Sequence, residues 1–189
     1  MSEIDNFVIE GNNLRLRKVV ISDVNDNYYR WMNDPDVNKY METRFNHQSI
    51  KDIEQYVQSM NEDPDGMFMA IIYKDNDLHI GNIKLGPISE VHRRGELSFF
   101  IGEKQFWGKG FATEAVGLLT DYGIRKLGLL KVTAGCYSNN MAAQCVFTKL
   151  GYIVEGIWER HYICEDEMVD RICYAKFNNH GDMLNDLRQ

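Results

Sequence analysis

The sequence predicts an α/β (α+β) fold, with helices flanking a mixed, mostly antiparallel sheet of seven strands. Three observations predict it. Between Phe68 and Ile101, three strand-like runs follow one another with no helix between them. Apolar residues recur at helical spacing on either side of that block. From Glu96 onward the order is strand, helix, strand, helix, strand, which brings some parallel pairing into the sheet.

Leu14-Arg15-Leu16-Arg17 alternates and reads as the first strand. Ser22-Asp23 offers a cap for a helix running to Trp31 and Met32, and Asn33-Asp34-Pro35-Asp36 breaks it. Ser49, with Asp52 three residues on, opens a second helix with Ile50, Ile53, Val57 and Met60 on one face. Strands over 68–74 and 79–85 meet at the turn Asp75-Asn76-Asp77, and a longer loop from Gly86 to Gly95 leads to a strand over 96–101. Ala112, Ala115, Val116, Leu119 and Tyr122 then fall at helical spacing, in a helix that ends near Gly128. A strand over 131–136 precedes a helix carrying Ala143, Val146, Phe147 and Leu150, which stops at Gly151. Strands over 152–162 and 169–177 close the chain around the acidic turn Glu165-Asp166-Glu167.

The 189 residues are 44% hydrophobic, enough for one core of ordinary size, and show no repeat or linker. The longest apolar run, from Met67 to Tyr73, is too short to span a bilayer, and the acidic start from Met1 to Glu10 resembles no targeting peptide. The expectation is a cytoplasmic protein with no membrane partner. A net charge of −7 argues against nucleic-acid binding. The charge is uneven: residues 1–66 carry seven bases and thirteen acids, whereas 104–131 carry five bases and two acids. A basic island in an acidic protein suits a small polyanion. Cys136, Cys145, Cys164 and Cys173 have no zinc-ligand spacing, so no metal is expected and the thiols read as buried and free.

Inside the basic island, Trp107-Gly108-Lys109-Gly110-Phe111-Ala112 joins a strand to a helix. Glycines let consecutive N–H groups turn inward, and a helix start adds unpaired donors and a positive dipole end. The stretch is neither a Walker loop, since Phe111-Ala112 follows the second glycine, nor a dinucleotide fingerprint, since Thr113 stands where a third glycine would.

The run from Trp107 to Ala115 resembles the acetyl-CoA pyrophosphate loop of GCN5-related N-acetyltransferases (GNAT), closest to the ribosomal-protein N-acetyltransferase-like branch. The family loop reads Gln/Arg-x-x-Gly-x-Gly/Ala, and Trp107 departs from its first position. Asn140-Met141-Ala142-Ala143 and Phe147-Thr148-Lys149-Leu150-Gly151-Tyr152 are similar to the family's later helix and its ending. The resemblance runs from Leu14 through Phe177, within a single domain over 1–189.

It implies acetyl transfer from acetyl-CoA to a primary amine by direct attack in a ternary complex. It implies a strand splayed from its neighbour, with the backbone of Phe100, Ile101 and Gly102 facing the pantetheine. Trp107, Gly108, Lys109, Gly110, Phe111, Ala112 and Thr113 would hold the pyrophosphate, and Asn140 and Phe147 would meet the cofactor from the far side. Glu96 is the candidate base for the amine. The family's helix tyrosine and serine are replaced by Phe147 and Ala143, which leaves Tyr137 or Tyr152 as substitute proton donors. Cys136 and Cys145 are candidates for a covalent route that the family does not favour. The acceptor pocket would draw on Trp31, Asn33, Glu42 and Arg44, and on Trp158 and Tyr162 from the last hairpin. The acceptor itself stays open. The segment from Asn33 to Met41 resembles relatives acting on nucleotide-linked amino sugars, and Val91-His92-Arg93-Arg94 with Val154-Glu155-Gly156 resembles spermidine acetyltransferases. A protein N-terminus is the second choice after a small or sugar amine, a polyamine the third, and a CoA-binding module without catalysis the fourth. Homodimers are common in the family.

Overall fold

The computed structural model describes residues 7–178. Eight strands form one sheet in the order β1-β2-β3-β4-β5-β6-β8-β7. The first half comprises β1 (Val8–Glu10), β2 (Leu14–Lys18), β3 (Met67–Tyr73) and β4 (Leu78–Ser89). The second half comprises β5 (Arg94–Ile101), β6 (Lys131–Tyr137), β7 (Ile153–Cys164) and β8 (Glu167–Phe177). Every neighbouring pair is antiparallel except β5 and β6, which are parallel. The eighth strand, beyond the seven expected, is β1. Its three residues are too few to show an alternation, and only pairing of Val8, Ile9 and Glu10 with Arg17, Leu16 and Arg15 makes them a strand.

The helices are α1 (Asp26–Asn33), α2 (Pro35–Asn38), α3 (Ile50–Glu62), α4 (Phe111–Arg125) and α5 (Met141–Lys149). Asn25 caps α1, not Ser22-Asp23. Asp23 is taken by Arg17, which donates to both carboxylate oxygens at 2.7 Å, and by the Val20 N–H at 2.8 Å. The expected break at Asn33–Asp36 is instead a cap: Asp34 receives the Asp36 N–H and Pro35 opens the short α2. The Ser49–Asp52 capping box is present at α3. The expected long loop from Gly86 to Gly95 is mostly strand. A bulge after Leu85 restores pairing at Ile88↔Gly95 and Ser89↔Arg94, so only a tight turn remains.

The sheet separates two apolar layers. Leu97, Ala115, Val116, Leu119, Val132 and Phe147 belong to the layer under α4 and α5. Tyr28, Trp31, Ile53, Val57, Phe68 and Ala70 belong to the layer under α1 and α3. Two residues expected in the site serve this second layer. Trp31 is 1% exposed, and its Nε1 donates to Glu103 Oε1 at 3.0 Å. Its indole lies against Gly102, where an added Cβ would stand 2.1 Å from the ring. The Gly102 N–H is spent on the Ile80 carbonyl at 2.8 Å. Gly102 is therefore a packing glycine with no amide to offer, and Trp31 is core.

Gly102→Ala should destabilise the fold by about 1–3 kcal/mol through overpacking against Trp31. Urea unfolding would show this as a lowered midpoint, and an unchanged midpoint would contradict the close approach.

Candidate active site

Parallel pairing of β5 with β6 covers four residue pairs, from Arg94↔Lys131 to Leu97↔Ala134, and then stops. Beyond it, β5 stays bonded to β4 as far as Ile101↔Gly81, and β6 stays bonded to β8 as far as Tyr137↔Arg171. Two strand edges thus face each other across an opening in the sheet. A cavity of about 880 Å³ includes it, lined there by Ser98, Phe99, Phe100, Ile101, Gly135 and Cys136.

At one end the cavity reaches the start of α4, where Gly108, Gly110, Phe111, Ala112 and Thr113 line it. Gly108 and Gly110 have φ of +71° and +87°, conformations that glycine adopts without a Cβ penalty. Open space surrounds both, since a Cβ added at either would meet nothing within 4 Å. No side chain caps α4, and its first internal bond runs from the Glu114 N–H to the Gly110 carbonyl. The amides of Phe111, Ala112 and Thr113 therefore lie outside the helical ladder at the positive end of its dipole. Trp107, the departure from the family pattern, lines the cavity and donates its Nε1–H to the Ile101 carbonyl at 2.8 Å, tying the loop to the end of β5.

The basic island is partly neutralised. Lys104 pairs with Asp34 at 2.8 Å and Asp36 at 2.6 Å, and Lys131 pairs with Glu155. Lys109 sits on the loop outside the cavity lining, with its Nζ 5.9 Å from the Phe106 ring centroid. Asn140 and Phe147 line the cavity from α5. Asn140 caps that helix by accepting the Ala143 N–H at 3.1 Å. Phe147 is 2% exposed and packs against Phe99, Tyr152 and Tyr174.

The other end of the cavity lies among α1, α2, α3 and the last hairpin. Tyr137 and Tyr162 stack there with ring centroids 3.9 Å apart. The Tyr137 hydroxyl donates to Glu42 at 2.8 Å and accepts from Arg44 at 2.8 Å. Burial first, and the Glu42 bond second, push this phenol up to about 12 against the pull of Arg44. Glu42 lines the cavity. Arg44 lies outside the lining and also donates to the Met41 and Ile163 carbonyls, bracing the segment. Asn33 does likewise: its amide donates to the Tyr29 and Gln48 carbonyls and accepts the Gln48 N–H. Trp158 also stays outside the lining and carries Arg171 over its ring at 4.8 Å.

Glu96 lies outside the lining, two residues along β5 from Ser98 and on the same face. Its partner is Arg171, at 2.6 Å, rather than the neighbouring Arg93 or Arg94. Arg93 instead donates to the Gly128 carbonyl. The Val91–Arg94 stretch forms the hairpin tip at the opposite end of β5 from the opening.

Tyr152 is 5% exposed and shares a 2.6 Å hydrogen bond with Thr120. It does not line the cavity, and burial pushes it up to about 12. The thiols differ from the expectation of uniform burial. Cys136 and Cys164 are buried and Cys173 half-buried, but Cys145 is exposed on α5 and lines the cavity. Residues that the sequence reading passed over include Tyr28, Asn82, Lys84 and Ser98, all on the lining. Asn82 and Lys84 alternate with Ile83 and Leu85, a pattern that reads as a solvent face until α1 and α3 cover it.

A model of the acetyltransferase (GNAT) domain matches residues 13–153. An uncharacterized N-acetyltransferase, p20, of Bacillus licheniformis is 30% identical over 159 residues, covering 83% of this chain and 88% of that one. Two solved structures share the fold. RimL, a ribosomal L7/L12 alpha-N-protein acetyltransferase in complex with coenzyme A, has a TM-score of 0.79 at 16% identity, over 90% of this chain and 98% of that one. Spermidine N-acetyltransferase from Vibrio cholerae, in complex with CoA and spermine, has a TM-score of 0.79 at 20% identity, over 88% and 96%. The chain belongs to the GNAT family and is an acetyl-CoA-dependent N-acetyltransferase.

Of the cavity thiols, Cys145 should react first with iodoacetamide at pH 8. Cys136 should lag at least about tenfold, because burial pushes its thiol up to about 11. Peptide mass spectrometry over a time course checks the order, and prior labelling of Cys136 would contradict the burial.

Proposed function

We propose that this GNAT enzyme moves an acetyl group directly from acetyl-CoA to a primary amine, with the two reactants meeting at the opening between β5 and β6. The observation that carries this is the stop in parallel pairing after Leu97↔Ala134, within one continuous cavity that reaches the uncapped start of α4. The residues present fit the coenzyme. The space around Gly108 and Gly110 is a cradle that any Cβ would begin to fill, and the amides of Phe111, Ala112 and Thr113 suit a pyrophosphate. Lys109 adds charge beside the loop. The edge of β5 left open past Leu97 can take an extended amide chain, with the Ile101 carbonyl already accepting the Trp107 indole N–H. Asn140 and Phe147 bound the same space from α5. Gly102 has no part in this holding.

Bound acetyl-CoA supplies an acyl group activated as a thioester. The chain's own task is to present the amine unprotonated and aligned. Glu96 serves as the base. Its Oε1 is held by Arg171, its side chain is 44% exposed, and its face leads to Ser98 on the cavity wall. A water between Glu96 and the amine then relays the proton. Tyr162 and Glu42 line the acceptor end. Arg44 and Asn33 are positioning residues that brace it, and Trp158 stays outside it. The relatives' names point to protein N-termini and polyamines as acceptors, and this site is read as taking a primary amine of that general kind.

Gly110→Asp would fill the cradle and place a negative charge at the helix start. Calorimetry should then show acetyl-CoA affinity falling at least about a hundredfold. Near-normal affinity in a folded variant would remove the loop from the cofactor site.

Glu96→Gln keeps the shape and removes the base. The value of kcat should fall by roughly 10²–10⁴ at neutral pH, with acetyl-CoA affinity unchanged. The deficit should narrow as pH rises, because free amine becomes abundant without help. A loss under about threefold, with chemistry rate-limiting, would reduce Glu96 to a partner of Arg171.

A further inference from the structure

We infer that Arg171 is a positioning residue for acetyl transfer: it aims the Glu96 carboxylate at the opening between β5 and β6, and Trp158 holds its guanidinium in place. The inference rests on Glu96 being the base proposed above, and it adds the two residues that set the direction of that base.

Glu96 is not placed by its own strand alone. It sits on β5 and Arg171 on β8, and β6 runs between them. The arginine therefore crosses β6 to reach Glu96 Oε1 at 2.6 Å. The register fixes where it crosses. Glu96 is paired with Thr133 and Arg171 with Tyr137, so Gly135 lies midway. A Cβ on Gly135 would stand 2.5 Å from Arg171 Nε and 2.9 Å from its Cζ, so only glycine lets the guanidinium lie against β6 there. Gly135 is also the first residue of β6 past the last parallel pair, Leu97↔Ala134, and it lines the cavity. The bridge thus crosses the sheet at the point where the opening begins.

The packing of Arg171 dedicates it to this contact. Its Cζ stands 4.8 Å from the ring centroid of Trp158, its register partner on β7. Glu96 is its one hydrogen-bond acceptor among the described residues, and the buried Nε–H has none. The Arg171 side chain is 21% exposed against 44% for Glu96, so the better-packed partner constrains the looser one. A carboxylate on a half-exposed side chain otherwise exchanges among rotamers. One charge-assisted bond at Oε1 removes that freedom. No donor among the described residues meets Oε2, which keeps that oxygen for the relaying water. Arg171 also pulls down on the Tyr162 phenol against the larger effect of burial, and Tyr162 lines the acceptor end. The same guanidinium therefore stands between the base and the wall that receives the amine.

Steady-state kinetics on the full chain tests this, with acetyl-CoA and the fastest acceptor among ethylenediamine, spermidine and a tetrapeptide with a free N-terminus. Arg171→Met should lower kcat at least about tenfold, with acetyl-CoA affinity and the acceptor KM each within about threefold of the parent. In a Glu96→Gln background the same substitution should change kcat by less than about twofold, because the carboxylate it aims is gone. The Arg171→Met deficit should narrow as pH rises, in step with that of Glu96→Gln. Trp158→Ala, at a half-exposed position outside the cavity lining, should lower kcat about threefold or more only where Glu96 is present, and Trp158→Phe should keep the parent rate. These two variants carry the test if Arg171→Met does not fold. An equal loss from Arg171→Met in both backgrounds, a loss in KM rather than kcat, a deficit constant with pH, or a parent rate in Trp158→Ala would overturn the inference while Glu96 stands as the base. A Glu96→Gln rate within about threefold of the parent, or no turnover of any acceptor by the parent, would instead overturn the underlying reading, and this inference with it.

Discussion

The parallel contact between β5 and β6 ends after Leu97↔Ala134, and the site depends on that ending. A strand edge left open inside a sheet exposes backbone donors and acceptors that folding ordinarily satisfies. Here each strand stays fully bonded on its other side, β5 to β4 and β6 to β8, so the opening costs pairing on one edge only. The layer beneath is held by Phe99 against Phe147, 5.8 Å between ring centroids, which keeps the gap apolar on the α5 side. On the opposite face Gly135 gives the Arg171 side chain room, since a Cβ there would stand 2.5 Å from its Nε. Arg171 in turn reaches Glu96. One interruption in hydrogen bonding thus sets the cavity, its apolar wall and the position of the carboxylate beside it.

Trp107 shows how a changed residue can keep the loop's place while changing the means. Its indole bonds to the Ile101 carbonyl and anchors the loop to the strand that forms the opening. The loop's positive character then rests less on side chains than the sequence implies. Lys104 and Lys131 are committed to carboxylates, and unpaired amides at the start of α4 remain. Those amides are fixed in direction and cost no side-chain entropy to aim.

The sheet class, the Ser49 cap and the glycine loop were legible because each is local: a period, a capping pair, a strand-to-helix turn. The failures were failures of context. Val8–Glu10 is a strand only through its neighbour, and the Gly86–Gly95 segment is strand only past a bulge. Trp31 and Asn33 occupy the right region of the chain, but one is buried on Gly102 and the other spends its amide on backbone. The partner of Glu96 lies 75 residues away, not two or three, because β8 crosses beside β6. Asn82 and Lys84 were missed for the same reason: a polar alternation on a central strand looks like a surface until helices cover it.

The remaining chemical question is the proton that accompanies the departing sulfur, since Phe147 has no hydroxyl to give. Tyr152 packs on Phe147 but holds its hydroxyl against Thr120, off the cavity wall. Tyr137 is on the wall, yet its proton is directed at Glu42 while Arg44 occupies its oxygen. Neither is poised to donate into the opening. A thiol is acid enough, with a free-cysteine value of about 8.5, that its anion is a competent leaving group near neutral pH. An alkyl ammonium is a weaker acid by about two units, so taking the amine's proton is the harder transfer. The chain's chemistry is concentrated accordingly. On the proposed reading, Glu96 is the carboxylate that takes that proton, and the α5 side around Phe147 is filled with aromatic packing.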